Sequence, residues 1–482
     1  MKKKLILSLF LALAAPGLSA QDRARAEGQS LLFLPEGDVT AAEAGLRLRS
    51  EDDALLPAEG KGLMQGEFRA RARHRLDSLQ RVEGRVSYER GVKRSVNWNS
   101  TSDWRLLAPY VTVDTAGGDL QREQYRFYAR YAARKGRILY GAAADYRALQ
   151  EFRAVDPRPR NIVADLQVHA DGGLLAGSHA LSLEAGYRRY SQHNDIEFRD
   201  PLGNNTSVIH DLGFGRFSER FSGARSSVSV RFKGNGFSAQ ARWEPVRGTG
   251  SFGRAGYSLI RVDRHLPEQN ETPVSRLLRQ ELSLSGGVKG IDRFLRADLT
   301  LRLKQGTEFI VDQTSAFGTL GRLPIYREPS LEASLTGFRE WVHDGTAWSL
   351  EPRVGYSALR ARSLYPGAGL GYGRASASVS GSTAFRRGDW AFRLDGTLGG
   401  AFSQGHGLEP PASAWGGERY LSALEHLAGR ISDHAVHAGF RGFIAHPVGK
   451  DLRLYFRPEA TFTWFLQRHW RLVAYGAIGI EF

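Results

Sequence analysis

Ten arginines in the first third of the chain are spaced so that they share one face of neighbouring extended segments. From position 69 to 75 every second residue is arginine, and the opposite phase carries Phe68 and two alanines. Side chains alternate between the two faces of a β-strand, so this spacing gathers the charges on one side. The set, called the basic wall below, is Arg69, Arg71, Arg73, Arg75, Arg81, Arg85, Arg122, Arg126, Arg130 and Arg134.

Two interpretations of the basic wall stay open. If it lines a pore it would attract anions, because rings of charge along a pore set its selectivity. If nearby acids pair with it, the same residues form salt-bridge ladders, which suit the polar interior that a membrane barrel requires. The acids within reach in the sequence are Glu67, Glu83, Glu89 and Glu123.

The histidines suggest a hydrolase, which is a weaker hypothesis than the transport and binding functions given at the end of this section. His193 with Asp195, and His210 with Asp211, lie in one polar connection. Adjacent residues on a strand point to opposite faces, so such pairs carry little information. The chain has no cysteine, which excludes thiolate metal sites and disulfides. We therefore predict no enzyme, no catalytic residues, no cofactor and no metal site.

The elements that would position these residues are strands of period two along almost the whole chain. We predict an all-β fold, a transmembrane antiparallel β-barrel of about eighteen strands (16–20). Lipid-facing and lumen-facing residues alternate in such a barrel, which explains how 24% charged residues fit a membrane protein. The predicted strands are 43–51, 62–76, 79–91, 121–135, 136–150, 161–173, 178–191, 222–233, 235–265, 277–290, 293–305, 330–344, 346–361, 368–385, 387–402, 430–446, 449–465 and 467–482.

Short turns alternate with long polar connections, the asymmetry expected of an outer-membrane barrel. The long connections are predicted near 92–120, 192–221, 306–329 and 403–429. A turn is predicted at Lys233-Gly234-Asn235-Gly236, and 235–265 is kept as one bent strand although Gly248-Thr249-Gly250 offers another turn. A barrel of this size can enclose an aqueous lumen, which inward loops could block.

The N-terminus reads as a secretory signal. Three lysines precede an apolar stretch too short to span a bilayer as a helix, followed by a Pro16-Gly17 break and small residues before Gln21. The predicted organisation is a signal peptide 1–20 cleaved after Ala20, a short periplasmic segment 21–42 and the barrel 43–482. The segment 21–42 is too short for a separate plug domain.

The last strand carries a second targeting signal. Trp470 to Phe482 has a period of two with one apolar face, and it ends on an aromatic residue. It resembles the terminal strand by which bacterial outer-membrane barrels are recognised for insertion. The predicted insertion residues are Tyr475, Ile478, Ile480 and Phe482, and the implied partner is the barrel-assembly machinery.

Residues 95–225 also resemble an uncharacterised family of bacterial outer-membrane β-barrels. The resemblance implies an accessory role beside TonB-dependent uptake systems and transfers no reaction or ligand. The elements that carry it are Trp104 with Pro109-Tyr110, Asp114 to Gly118, Tyr140-Gly141 with Tyr146, Asp156 to Asn161, Tyr190 with Gln192, and Val208 to Gly215.

These patterns together predict a channel or accessory transport protein for small solutes, with anions favoured by a formal net charge of +15. The alternative is a non-transporting barrel whose loops bind a TonB-dependent receptor, a surface lipoprotein or a polysaccharide. Outer-membrane lipid and lipopolysaccharide are further expected partners, and the expected location is the outer membrane of a Gram-negative bacterium. No nucleic-acid motif accompanies the basic charge, so nucleic acid is not expected.

Overall fold

The computed structural model describes residues 41–52, 56–199, 207–224, 228–246, 248–312, 318–365, 367–411, 417–449, 452–466 and 469–482. The predicted signal peptide 1–20, its cleavage site and residues 21–40 lie outside the described residues. No helix in these ranges is long and apolar enough to cross a membrane.

Strands make up most of the described chain. In chain order the elements are β1 (Ala41–Asp52), β2 (Gly62–Arg75), β3 (Gln80–Val96), α1 (Trp104–Leu107), β4 (Thr112–Asp114), β5 (Gly118–Lys135), β6 (Ile138–Phe152), β7 (Arg158–Ala176), β8 (His179–Glu197), β9 (Ser207–Gly213), β10 (Arg216–Ala224), β11 (Val228–Pro245), β12 (Gly250–Leu266), β13 (Thr272–Lys289), β14 (Arg293–Val311), β15 (Thr319–His343), β16 (Thr346–Ser363), β17 (Ala368–Arg387), β18 (Trp390–Glu409), α2 (Gly417–Ile431), β19 (Ala435–Pro447), β20 (Arg453–Phe465) and β21 (His469–Glu481). Two short 3-10 turns, Pro57–Glu59 and Pro267–Gln269, complete the set.

Eighteen of these strands form one closed antiparallel barrel, which confirms the predicted all-β barrel and its strand number. Each barrel strand pairs with its neighbours along the chain. The first and last strands close the ring through pairs that run from Glu43 with Glu481 to Asp52 with Leu472. The other three strands, β4, β9 and β10, form a small separate sheet.

The two faces of the barrel wall differ as the alternation predicts. On β14, Leu295 and Leu301 are 48% and 37% exposed on the outside. Arg296 and Asp298, in the opposite phase, form an ion pair of 2.8 Å, and Lys304 in that phase donates to the carbonyl of Arg105, in α1. Apolar side chains therefore cover the outer surface and polar ones line the lumen, which is the arrangement of a membrane barrel.

The connections divide the barrel into two unlike ends. At the end that carries both chain termini, called the short-loop end, every connection has two to five residues. The opposite, long-loop end carries the three longest connections, 97–117, 198–227 and 410–434. The predicted long connection near 306–329 is shorter in the structure, because β14 and β15 extend to Val311 and from Thr319.

The prediction of a turn at positions 233–236 and of one bent strand over 235–265 was wrong. Positions 233–236 lie inside β11. The chain reverses between Pro245, the end of β11, and Gly250, the start of β12, where Gly248 and Gly250 have positive φ angles of 76° and 131°. Gly234 and Gly236 serve close packing instead, since a Cβ on Gly236 would lie 2.9 Å from the carbonyl oxygen of Leu259. The structure has one turn fewer at 233–236 and one turn more between β11 and β12, so the number of barrel strands is still eighteen.

Candidate functional site

The basic wall lies on the lumenal face of three neighbouring strands, β2, β3 and β5. Across these strands Arg71 is opposite Arg85, Arg75 is opposite Arg81, and Arg130 is opposite Glu83. The outer phase of the same strands exposes apolar residues such as Phe68 and Phe127. These pairings place the arginines of the basic wall on one contiguous surface.

Acids neutralise part of the basic wall. Glu83 contacts three guanidinium groups, those of Arg71 at 2.9 Å and of Arg73 and Arg85 at 3.5 Å. Arg126 pairs with Asp145 at 2.8 Å, and Arg130 with Asp171 at 2.9 Å. Salt bridges are thus present as the second interpretation expected, but several arginines share one acid and the wall keeps a positive excess.

The connection 97–117 folds into the lumen and carries α1. Asp103, which precedes this helix, accepts hydrogen bonds from Arg147 on β6 at 2.5 and 3.0 Å and from the Tyr190 hydroxyl on β8 at 3.1 Å. Burial by itself favours the neutral acid, but the hydrogen bonds and charge of Arg147 hold the pKa of the Asp103 carboxyl below its usual range. The helix is therefore fixed to the wall by an ion pair.

A second set of polar contacts fixes the same connection further along. Asp114, at the end of β4, is buried and pairs with Arg153 at 2.9 Å. The carbonyl of Ser100 accepts from the side-chain amides of Asn161 at 3.0 Å and Asn194 at 2.8 Å. These groups are buried, and buried polar groups with partners hold a segment in one position.

Strands β9 and β10, from the connection 198–227, extend this inner structure. β4 pairs with β9 from Thr112 with His210 to Asp114 with Val208. Arg216 on β10 forms a bidentate pair with Glu308 on β14 at 2.9 Å. Residues 97–117 and 207–224 are together called the inward segments, and their contacts reach from β6 around to β15.

An apolar cluster fills the space between the inward segments and the barrel. Leu106, Leu107, Val111 and Val113 pack against lumenal residues of β11 and β12, among them Phe232. α2 adds to this end of the lumen, where Tyr420 meets Trp98 edge to face at 5.4 Å between ring centroids. The long-loop half of the lumen is therefore filled with packed protein.

The two His–Asp pairs considered for hydrolysis lie in different surroundings. His193 is exposed on the outward phase of β8, and the neighbouring Asp195 accepts from Ser229 at 2.6 Å. His210 is buried in the inner sheet and contacts the guanidinium of Arg264. Asp211 lies beside it, and burial raises the pKa of the Asp211 carboxyl to about 7. No group of three or more metal-ligating side chains occurs among the described residues.

Beneath α1 the lumen holds a polar cavity of about 640 Å³. It is bounded by Asp103 to Leu106 on one side and by barrel strands on the others. Its nine basic residues are Arg49, Lys93, Arg105, Arg122, Arg126, Arg147, Arg188, Arg279 and Arg471, and its six acidic residues are Glu51, Glu59, Asp103, Asp145, Glu151 and Asp165. The cavity thus has an excess of three positive charges.

Three of these guanidinium groups keep unused hydrogen-bonding capacity. The Nε atoms of Arg49, Arg122 and Arg471 are buried and have no hydrogen-bond partner among the described residues. Arg49 and Arg471 share one carboxylate, that of Glu51. Two cations on one carboxylate leave a net positive charge at this side of the cavity.

The sequence model of a family described as "family of unknown function (DUF6850)" matches residues 30–414, which is more than half of the chain. The chain belongs to this family. The uncharacterised family suspected from the sequence agrees with this finding. No curated protein matches the chain.

Several solved outer-membrane proteins are similar to this DUF6850 chain. The ferric citrate transporter FecA, in its unliganded form, is 10% identical over 91% of this chain and 78% of its own, with a TM-score of 0.41. The copper transporter OprC is 8% identical over 93% and 81%, with a TM-score of 0.43. BauA, the ferric preacinetobactin receptor of Acinetobacter baumannii, is 9% identical over 92% and 80%, with a TM-score of 0.40.

Sequence reasoning found the wall of the DUF6850 barrel but missed what fills it. Arg147, Asp165 and Arg188 were not singled out, although their phase on β6, β7 and β8 places them in the lumen. Arg188 forms a bidentate pair with Asp165, both bonds 2.8 Å long. Segments that carry the family resemblance, including Trp104, Tyr190 and Val208, meet at this inner structure, which was one available signal.

The predicted insertion residues of the last strand divide between the two faces. Ile478 and Phe482 are 51% and 55% exposed on the outside. Tyr475 is in the opposite phase and lies in the lumen, where the guanidinium of Arg47 stands 4.3 Å from its ring centroid.

Proposed function

We propose that this DUF6850 protein is an outer-membrane transport barrel for small anionic solutes, closed at its long-loop end by the inward segments. The observation that carries the proposal is the cavity beneath α1, with nine basic and six acidic residues. A lumen with an excess of one sign of charge raises the local concentration of the opposite ion. The basic wall continues this surface toward the short-loop end.

The size of the cavity limits the solute. Its volume of about 640 Å³ falls within the roughly 300–1,000 Å³ of small-molecule sites. A small carboxylate or phosphate would fit there, where the charged side chains of Arg49, Arg122 and Arg471 line the cavity. Larger polymers would need the inward segments to leave the lumen.

Passage would require α1 to move, because this helix caps the cavity. The ion pair of Asp103 with Arg147 and the bidentate pair of Arg105 with Glu59, both bonds 2.7 Å long, hold the helix in place. We therefore propose a gated barrel rather than an open pore, with the inward segments as the gate.

The second candidate is a non-transporting partner of a TonB-dependent receptor or a surface lipoprotein. The packed long-loop half of the lumen supports it, since the cluster around Leu107 and Phe232 is buried as a protein core is. Co-purification of a receptor or lipoprotein with the intact protein, together with silent bilayers, would favour this candidate over transport.

The remaining features of the proposal concern location and chemistry. We infer outer-membrane residence, with cleavage after Ala20, the short-loop end in the periplasm, no separate plug domain and insertion guided by β21. We also infer a non-enzymatic role, which is supported by the surroundings of each candidate pair: His193 faces outward beside Asp195, which is bound by Ser229, and buried His210 contacts the guanidinium of Arg264.

The test is conductance of the purified protein in planar bilayers, before and after removal of the gate. Val96 and Gly118 are direct cross-strand partners, so a short Gly-Ser turn can replace residues 98–116 without disturbing the barrel. Ile196 and Val228 are also direct cross-strand partners, so a second short turn can replace the connection between β8 and β11. We expect the intact protein to conduct rarely and the doubly shortened protein to conduct steadily, with a reversal potential that favours anions.

Selectivity is then tested in the shortened protein. Arg49→Gln with Arg471→Gln should reduce the preference for anions, because both residues line the cavity. Arg189→Gln, which removes an arginine from the outer face of β8, is the matched control and should leave selectivity unchanged. A shortened protein that stays silent would refute transport, and one without preference between ions would refute the anionic solute.

A further inference from the structure

A cluster of five cations lies on the outside of the barrel, toward the long-loop end of β8, β11, β12 and β13. We call it the outer basic patch, and its members are Arg189, Arg231, Lys233, Arg261 and Arg276. They share the outward phase of their strands with exposed Tyr187, Phe237, Tyr257 and Leu282. Cross-strand pairing brings them together, since Asn235 is opposite both Arg189 and Arg261, and Asp263 is opposite both Lys233 and Arg276.

The acids within the patch do not balance its cations. Glu271 binds both Arg231 and Lys233, the latter at 2.8 Å. Asp263 binds both Arg261 at 2.5 Å and Arg276 at 2.6 Å. Arg189 donates to the side-chain oxygen of Asn235 at 2.8 Å, and nearby Asp195 accepts from Ser229 at 2.6 Å. Five cations thus face three carboxylates. Because Glu271 and Asp263 each bind two cations, every guanidinium group keeps N–H donors that no carboxylate of the patch uses.

The height of the patch can be worked out from the strands. Trp243, 45% exposed on the outside of β11, suits the aromatic girdle near the short-loop end. Ten residues separate Trp243 from Lys233. At about 3.3 Å per residue and a strand tilt of roughly 40° from the barrel axis, they span about 25 Å along that axis. An outer-membrane barrel has an apolar band about 25 Å tall. The outer basic patch therefore lies where the band ends and lipid headgroups begin.

We propose that the outer basic patch binds the phosphate of a phosphorylated lipid headgroup in the external leaflet. Guanidinium groups bind phosphate in a bidentate manner, and these five cations converge within three adjacent cross-strand rows. The apolar side chains directly below, among them Tyr187 and Phe237, would pack on the acyl chains of the same lipid. The apolar side chains beside the cations therefore favour a lipid-borne phosphate over a free ion. The proposal of lipid binding does not depend on whether the barrel transports solutes.

The test uses the detergent-purified protein and diphosphoryl lipid A as the probe, with binding measured by native mass spectrometry. Arg189→Gln, Lys233→Gln and Arg261→Gln are combined, because Glu271 then keeps Arg231 and Asp263 keeps Arg276. We expect at least a tenfold loss of affinity in this variant. Arg90→Gln with Arg94→Gln removes two exposed cations from the outward phase of β3 and should change affinity less than twofold.

A second variant adds charge without removing any cation. Asn235→Asp places a carboxylate between Arg189 and Arg261, so it should weaken lipid A binding while leaving the fold intact. Affinity for lipid A should also fall as salt is raised, since these charges are solvent-exposed. Equal affinity in the wild-type and triple-variant proteins would overturn the proposal. Inorganic phosphate that competes as well as lipid A would overturn the assignment to a lipid.

Discussion

Loss of a single arginine should unlock the inward segments. Arg147→Gln removes the bidentate partner of Asp103 and leaves the carboxylate with the Tyr190 hydroxyl alone. The effect on Asp165 is smaller, because Arg188 still holds that carboxylate in a bidentate pair. We therefore expect α1 to leave the lumen more often in this variant.

The size of the effect follows from burial. The side chains of Arg147 and Asp103 are each 18% exposed, and removal of one partner from a buried pair costs about 3–5 kcal/mol. Because some solvent reaches this pair and Tyr190 remains bound, the lower end applies, about 3 kcal/mol. At about 1.4 kcal/mol per factor of ten, the ratio of open to closed protein should rise about a hundredfold.

The assay is the open probability of single channels in planar bilayers. Arg126→Gln is the matched control, since Arg126 lines the same cavity and forms a bidentate pair with Asp145, but is 53% exposed. An exposed pair is worth about 0–1 kcal/mol, so this control should open less than about fivefold. Asp103→Asn should act like Arg147→Gln, and the double variant should add little. Arg147→Gln and Arg126→Gln with the same open probability would refute the reasoning.

Three further predictions concern the inner sheet and the barrel seam. Burial raises the pKa of the Asp211 carboxyl from 3.8 to about 7, so its contribution to the closed inner sheet is complete below about pH 4, falls as pH rises and is lost once pH passes about 7. Open probability should therefore increase from about pH 4 to about pH 7.5 and change little above that, and Asp211→Asn should remove the dependence. A Cβ on Gly306 would overlap the Tyr110 ring, so Gly306→Ala should displace residues 97–117 and make them susceptible to added protease. The control is Gly396→Ala, whose added Cβ would have no atom within 4 Å, and this variant should resist protease as the wild-type protein does. The Tyr455 hydroxyl donates to Glu43 at 2.6 Å across the seam, so Tyr455→Phe should lower the free energy of unfolding by about 1.5–3 kcal/mol in urea titrations, and an unchanged midpoint would contradict this.

The barrel could be predicted because its signal is local. A strand that separates lipid from lumen alternates residue by residue, and the arginines at 69, 71, 73 and 75 show that alternation without any knowledge of their partners. Not every turn could be located, because glycine occurs both at turns and where two strands approach each other closely. Gly234 and Gly236 lie where strands approach closely, and this can be recognised only when the neighbouring strands are known.

The inner structure could not be predicted because its contacts join distant parts of the chain. Asp103 and Arg147 are 44 residues apart, and Arg216 and Glu308 are 92 apart. Besides the segments of family resemblance, a second signal was present in the sequence. Val228, Val230 and Phe232 are apolar in the lumenal phase of β11, where an aqueous lumen calls for polar side chains, and all three are buried against the inward segments.

The pairing of β4 with β9 also bears on how the molecule matures. These strands are about a hundred residues apart in the chain, whereas most barrel strands pair with their immediate neighbours. Contacts between distant segments form late, because the intervening loop must first be closed at an entropic cost. The pairs that close the ring, such as Glu43 with Glu481, are far more distant still, so by the same argument we expect β4 and β9 to pair before the barrel seam closes. The lumen would then be filled before the ring is complete, and a newly inserted molecule would not pass through an open stage.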